Sequence, residues 1–206
     1  MNHQAGSYGI RLLSLSALET ERFGETISST LGPSGVITLE GDLGAGKTQF
    51  VRGMSRGLGI DVDEISSPTF VICMRHESEQ ATLAHMDAYR LSGDDELESI
   101  GFDEMLDEDQ LLLAVEWASR IESSLPSERI DVHISHRGES TRGVEIIDYR
   151  SDASERMRLR DAFIALFESC EITPRNTEST CPTCGGHRED AQINSPFCSL
   201  RCRMAD

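Results

Sequence analysis

The sequence has little positive charge and almost no lysine. Of its 206 residues, 19 are Lys or Arg and 36 are Asp or Glu, so the formal net charge is -17. Lys47 is the one lysine in the chain. A strongly acidic surface repels polyanions, which argues against tight, direct binding of nucleic-acid phosphates. Any role on a nucleic acid is therefore expected to act through a partner protein.

Long hydrophobic runs are absent as well. No stretch approaches the roughly 18 apolar residues that cross a bilayer. The first ten residues, MNHQAGSYGI, carry neither the basic head nor the apolar segment of a signal peptide. We therefore expect a cytoplasmic protein. Its hydrophobic fraction of 38% supports one ordinary domain with a real core, plus a small appendage.

The cysteines are unevenly distributed. Cys73 and Cys170 stand alone, and the other four crowd into the last 26 residues with the spacing Cys-x2-Cys, thirteen residues, Cys-x3-Cys. In a reducing compartment this spacing favours a tetrahedral zinc site whose closed shell of thiolates is structural. Two disulfides or an unfolded tail are the alternatives. The predicted zinc ligands are Cys181, Cys184, Cys198 and Cys202.

A polar stretch, TPRNTEST, separates this tail from the rest of the chain. The predicted organisation is a nucleotide-binding domain over residues 1–172, a linker over 173–180 and a zinc module over 181–206. The charges of residues 175–206 cancel, so the whole acidic excess belongs to the larger domain.

The segment GDLGAGKT, residues 41–48 and hereafter the phosphate loop, matches G-x4-G-K-[ST] without a mismatch. It lies between a β-branched segment, VITLE, and a predicted helix, TQFVRGMSRGLGI, which is the context that distinguishes such a loop from a chance glycine-rich turn. Its amides would surround phosphates, its lysine would reach the β and γ phosphates, and its threonine would bind Mg²⁺. The predicted nucleotide-binding residues are Gly41, Asp42, Leu43, Gly44, Ala45, Gly46, Lys47, Thr48 and Gln49.

The other segments predict an alternation of strands and helices. A strand at YGIRLLSLS precedes a helix from a Ser16 cap to Leu31, and LLLAVEW (111–117) has the continuous apolar character of a buried central strand. Two hairpins are expected, one from TFVICMRHE and ATLAHMDAYRL, the other from RIDVHISHRG and TRGVEIIDYR. SERMRLRDAFIALFESC predicts a closing helix.

Four residues outside the loop are candidates for the same site. Asp87, on a predicted strand, would bind Mg²⁺, and Glu116, at the end of LLLAVEW, would hold the attacking water. Either could instead be an exposed carboxylate at a strand end. Thr69 in SSPTF would sense the γ phosphate as switch loops do, or belong to a plain turn. Trp117 contacts the nucleotide or packs in the core.

Taken in order, GDLGAGKT, SPTF, HMDAYRL and EW resemble the TsaE family of tRNA threonylcarbamoyladenosine biosynthesis proteins over about residues 10–168. The resemblance implies a cytosolic P-loop ATPase with a mixed central sheet flanked by helices. It implies that ATP and Mg²⁺ are bound and that TsaD and TsaB are partners that hold the tRNA. Lys47 and Glu116 would be catalytic, and Trp117 would couple the site to partners. Family members often continue EW with proline, whereas Ala118 follows here.

The tail, CPTCGG followed by SPFCSLRCRMAD, resembles the zinc protein family YacG, which inhibits DNA gyrase. That family usually continues past this aspartate, so zinc binding is the firmer implication and a gyrase contact the weaker one. Two other functions stay open at this point. A phosphate loop also serves small-molecule kinases, and the chain could be a zinc adaptor that uses its nucleotide domain as a scaffold.

Overall fold

A computed structural model describes residues 8–68, 72–91, 94–169 and 204–205. The strands are β1 Tyr8–Ser14, β2 Gly35–Glu40, β3 Cys73–Glu77, β4 Thr82–Asp87, β5 Leu111–Glu116, β6 Ile130–His136, β7 Arg142–Asp148 and β8 Met204–Ala205. The α-helices are α1 Ala17–Leu31, α2 Lys47–Gly57, α3 Asp94–Ser99, α4 Phe102–Leu106 and α5 Ala153–Ser169. Short 3-10 helices cover Val62–Glu64, Ala88–Arg90 and Ala118–Ser124.

The strands form one mixed sheet in the order β3-β4-β5-β2-β6-β7-β1-β8. The four neighbours β4, β5, β2 and β6 run parallel, and every other pairing is antiparallel. Both predicted hairpins are present, as β3–β4 and β6–β7. The expected mixed sheet is therefore confirmed. Because β2, β4 and β5 are parallel, their carboxyl ends meet at one edge of the sheet.

Strand β5 is buried on both faces, as its continuous apolar sequence predicts. Leu112 and Ala114 belong to the larger core, which also takes in residues of α1, α2 and α5. Leu111, Leu113 and Val115 belong to the second core with residues of α3 and α4. The sheet is thus the middle of three layers. No helix among the described residues has the length and apolar character needed to span a bilayer.

Helix α1 begins where its capping signal predicts. The Ser16 hydroxyl accepts a hydrogen bond from the Glu19 amide at 3.2 Å, and the Glu19 carboxylate accepts one from the Leu15 amide at 2.8 Å. The first bond satisfies an amide of the first helical turn, and the second satisfies the amide of the residue before the cap. At the other end, Gly32 takes a φ of 81°, which stops the helix before β2.

Helix α1 crosses α2 so closely that glycine is required at the contact. A Cβ on Gly53 would lie 1.8 Å from the carbonyl oxygen of Glu21, and one on Gly24 would lie 2.1 Å from that of Phe50. Backbone atoms cannot swing away as a side-chain tip can. This close approach fixes α2, and with it the phosphate loop at its amino end, against the rest of the domain.

Replacing Gly53 by alanine should lower the free energy of unfolding by about 2 kcal/mol or more, because the helices must separate to admit the methyl group. Urea unfolding followed by circular dichroism measures the change. Gly9→Ala is the control, since a Cβ there meets nothing within 4 Å. Equal stability of the two variants would contradict the packing argument.

Candidate nucleotide site

The phosphate loop connects the end of β2 to the start of α2 in a conformation that depends on three glycines. Gly41, Gly44 and Gly46 have φ values of 151°, 76° and 109°, a region that other residues rarely adopt. Gly41 has a second constraint, because a Cβ there would lie 2.2 Å from the carbonyl oxygen of Ile134 on β6. The loop therefore turns tightly while lying against the neighbouring strand.

The amino end of α2 is open to an anion. Its N-cap, Gly46, has no side chain and forms no capping hydrogen bond. The amides of the first helical turn have no partners within the helix, and the helix dipole places partial positive charge there. This eleven-residue helix therefore provides the amides and the field that phosphate groups need.

The ammonium of Lys47 lies inside the loop. Its Nζ donates hydrogen bonds to the carbonyl oxygens of Gly41 at 2.7 Å and Asp42 at 3.3 Å, and it sits 4.1 Å from the centre of the Trp117 ring. Burial lowers the pKa of this ammonium, and the carboxylates of Glu116 and Asp87 oppose that shift. A compact, partly desolvated positive charge is thus available to phosphate oxygens.

Two carboxylates adjoin the loop from the ends of β4 and β5. The register of these parallel strands pairs Asp87 with Glu116. Glu116 is buried, and its Oε1 accepts a hydrogen bond from the Thr48 hydroxyl at 3.1 Å. Asp87 is partly exposed, and its Oδ1 accepts one from the Tyr89 amide at 2.9 Å. The site therefore gathers a hydroxyl and two carboxylates, which are ligands suited to Mg²⁺.

The backbone turns at Trp117, directly after β5, and this turn brings the tryptophan ring to the site. Its φ of 59° and ψ of 38° are left-handed, and its amide donates to the Leu39 carbonyl oxygen at 3.0 Å. The ring contacts the ammonium of Lys47, the first residue of α2, and the Tyr89 ring, whose centre is 5.1 Å away. Trp117 therefore lies beside the phosphate loop, and its contact with a nucleotide stays a prediction.

The remaining candidates differ in their surroundings. Leu43, at the tip of the loop, is 89% exposed, and Ala45 is buried. The side-chain amide of Gln49 donates to the carboxylate of Glu21 on α1, so it serves the helix contact. Thr69 lies outside the described residues. So do the four predicted zinc ligands, Cys181, Cys184, Cys198 and Cys202.

Sequence reasoning missed Arg142. This residue begins β7, and its Nε donates to the carbonyl oxygen of Ala45 in the phosphate loop at 2.9 Å. Its Nη1 donates to the carbonyl oxygens of Gly138, Glu139 and Thr141 in the preceding turn. The guanidinium thus ties the β6–β7 hairpin to the loop. Almost one hundred residues separate Arg142 from Ala45, and no motif signals their contact.

The charges indicate what the site can accept. Lys47 is surrounded by Glu116, Asp87, Glu40 and Asp42, all of which act on its pKa as negative charges. A nucleoside triphosphate would add more negative charge beside those carboxylates. A divalent cation held with the phosphates would offset part of that repulsion, and the oxygens of Thr48 and Asp87 are ligands of the kind that Mg²⁺ prefers.

Loss of the Arg142 guanidinium should loosen the phosphate loop. We expect Arg142→Ala to weaken binding of a non-hydrolysable ATP analogue by about tenfold, the equivalent of one charged hydrogen bond. Isothermal titration measures the dissociation constant. Arg11→Ala is the control, because Arg11 forms an exposed ion pair with Glu145, on the same β7 strand. An unchanged dissociation constant for Arg142→Ala would refute the supporting role.

Comparison with known proteins identifies the family. The family model described as threonylcarbamoyl adenosine biosynthesis protein TsaE matches residues 14–144. The tRNA threonylcarbamoyladenosine biosynthesis protein TsaE of Bacillus subtilis is 41% identical over 126 residues, which cover 61% of this chain and 77% of that protein. The protein of the same description from Treponema pallidum is 34% identical over 137 residues, which cover 66% of this chain and 99% of that protein.

A solved structure agrees with these relatives. The crystal structure of Bacillus subtilis YdiB superposes with a TM-score of 0.61 at 29% identity, covering 78% of this chain and 97% of that one. The matched region contains the phosphate loop, Asp87, Glu116 and Trp117. The chain belongs to the TsaE family of threonylcarbamoyl adenosine biosynthesis proteins.

Proposed function

We propose that this chain is an ATPase of tRNA threonylcarbamoyladenosine biosynthesis. In this role it binds a TsaD–TsaB pair and uses ATP hydrolysis to cycle that pair through repeated modification of adenosine 37 in tRNAs. Family membership supports the pathway. The observation that carries the ATPase activity is the phosphate loop, with Lys47 inside it and Thr48 bonded to Glu116.

Each part of the site has a role in phosphoryl transfer to water. The loop amides and Lys47 bind the β and γ phosphates, and Thr48 and Asp87 hold Mg²⁺. When bound, Mg²⁺ offsets the negative charge that the phosphates bring to these carboxylates. Glu116 accepts a hydrogen bond from the attacking water and orients it toward the γ phosphate. The Trp117 ring lies against the Lys47 ammonium and covers that side of the site.

The surface around the site supports action with a protein partner. Leu43 is 89% exposed at the loop tip, and Tyr89, which touches Trp117, is 53% exposed. Apolar side chains in the open beside a nucleotide site suit a contact with another protein. With a net charge of -17, the chain is poorly suited to hold tRNA itself, and the partners would do so.

The cysteine tail adds a second element to the proposal. Four thiolates in two close pairs match the donor set of structural zinc, and a module of this size needs metal to fold. Among the residues that the structure describes, no group of three or more His, Cys, Asp or Glu side chains gathers as a metal site. Zinc binding, and a gyrase contact through the zinc module, therefore depend on residues 181–206 alone.

Phosphate release tests the ATPase assignment. We expect slow release from the full chain alone and faster release once TsaD–TsaB is added. Lys47→Ala should abolish both, because the phosphates lose their ammonium. A pull-down with the full chain and with residues 1–174, read for TsaD, TsaB and gyrase, assigns each partner to a domain.

The outcomes separate the alternatives. Formation of ADP without free phosphate, and only when a small-molecule acceptor is present, would point to a kinase. Partner stimulation that is retained in the 1–174 fragment would argue against the zinc adaptor. ATP affinity that survives Lys47→Ala would overturn the nucleotide site itself.

Cys184→Ser should remove one zinc ion per chain, because a hydroxyl is a poor replacement for one of four thiolates. Metal analysis of the purified full chain by mass spectrometry measures the content. Cys73→Ser is the control, since Cys73 is a lone thiol on β3. The same zinc content in Cys184→Ser and in the unaltered chain would show that the tail does not bind zinc through this residue.

A further inference from the structure

Strand β4 carries a buried histidine that the proposed mechanism does not use. The His85 side chain is fully buried, and its backbone pairs with Met74 on β3 and Ala114 on β5. Its Nε2 lies 2.9 Å from Oε1 of Glu116, and its Nδ1 is buried without a hydrogen-bond partner. Burying a polar ring costs free energy unless hydrogen bonds replace those that it made with water, and here only Nε2 has such a bond.

A carboxylate oxygen is the ordinary acceptor, so Nε2 of His85 is taken as the donor in this hydrogen bond. Nδ1 is the ring nitrogen that is buried without a partner. The same Oε1 accepts from the Thr48 hydroxyl at 3.1 Å, so one carboxylate oxygen joins β4 to the phosphate loop.

The two donors to Glu116 differ in how they are held. In the proposed function the oxygen of the Thr48 hydroxyl would also bind Mg²⁺ while its proton stays on Oε1, so the position of this donor would depend on the metal. The position of the His85 ring would not, because its side chain is fully buried. It would then be the donor that keeps the Glu116 side chain from rotating away, while the Glu116 backbone is held in β5 beside Asp87.

We propose that His85 is a positioning residue for hydrolysis: it holds the Glu116 carboxylate toward the phosphate loop so that the attacking water is oriented. The inference rests on the proposed ATPase function and adds to it a residue with no direct contact to the nucleotide. A bond from a buried donor to a catalytic carboxylate fixes its geometry in the way that outer ligands orient a metal ligand.

Turnover and nucleotide affinity should respond differently to loss of the ring. In the full chain with TsaD–TsaB, we expect His85→Leu to lower kcat about tenfold, the equivalent of one charge-assisted hydrogen bond. The dissociation constant for a non-hydrolysable ATP analogue should change by less than about twofold, since the loop and Lys47 are untouched. His85→Gln should recover most of the loss, because its amide nitrogen reaches the position of Nε2.

A double-mutant cycle shows whether His85 acts through Glu116. In the Glu116→Gln background, His85→Leu should cause no further loss of kcat. The control is His76→Leu on β3, another buried histidine whose Nε2 has no partner and whose Nδ1 lies 4.0 Å from Glu64, a residue outside the site. It should leave kcat unchanged. Thermal unfolding checks that each variant is folded, and His85→Asn, whose amide ends short of Nε2, replaces His85→Leu if that variant does not fold.

Each result decides the matter. Unchanged kcat in the loss variant, equal losses in both backgrounds, or a loss that His85→Gln leaves in place would overturn the positioning role while the ATPase assignment stands. No turnover by the unaltered chain with its partners would overturn the proposed function, and this inference with it.

Discussion

The site depends on keeping one ammonium buried among carboxylates. Lys47 is held by two carbonyl oxygens of its own loop and by the face of Trp117, with Glu116 and Asp87 close enough to act on its pKa. Burial and these charges act in opposite directions on the protonation of Lys47. The ammonium and the open amino end of α2 offer positive charge to an anion, while the carboxylates around them offer oxygens to a cation.

The parallel part of the sheet brings these groups together. β2 leads into the phosphate loop, β4 ends in Asp87 and β5 ends in Glu116, and these three strands are adjacent. Their shared direction places all three carboxyl ends at one edge. The packing of α1 on α2 fixes the helix behind the loop, and the Gly53 contact leaves no space between their backbones. The order and direction of the strands therefore set where these groups lie, and side-chain contacts then hold them in place.

The sequence predicted the parts of the site that are local. The phosphate loop is a contiguous pattern, and Asp87 and Glu116 were candidates because each stands at the end of a predicted strand, where the structure also places them. What it could not predict are contacts between segments that are far apart in the chain. Arg142 reaches Ala45 across 97 residues, and His85 reaches Glu116 across 31. Neither contact corresponds to a fixed spacing in the sequence, because each depends on strand order and register.

The end of β5 shows how a local departure from regular structure serves the site. In an extended strand, successive side chains point to opposite faces, so Glu116 and Trp117 could not both reach the phosphate loop. The left-handed backbone of Trp117 breaks that alternation, and such a conformation costs about 1–2 kcal/mol for a residue with a Cβ. The bond from its amide to Leu39 and its contact with Lys47 offset the cost. Beyond Trp117, Glu40 accepts a hydrogen bond from the Ser119 amide at 2.6 Å, which holds the turn that Ala118 begins next to the end of β2.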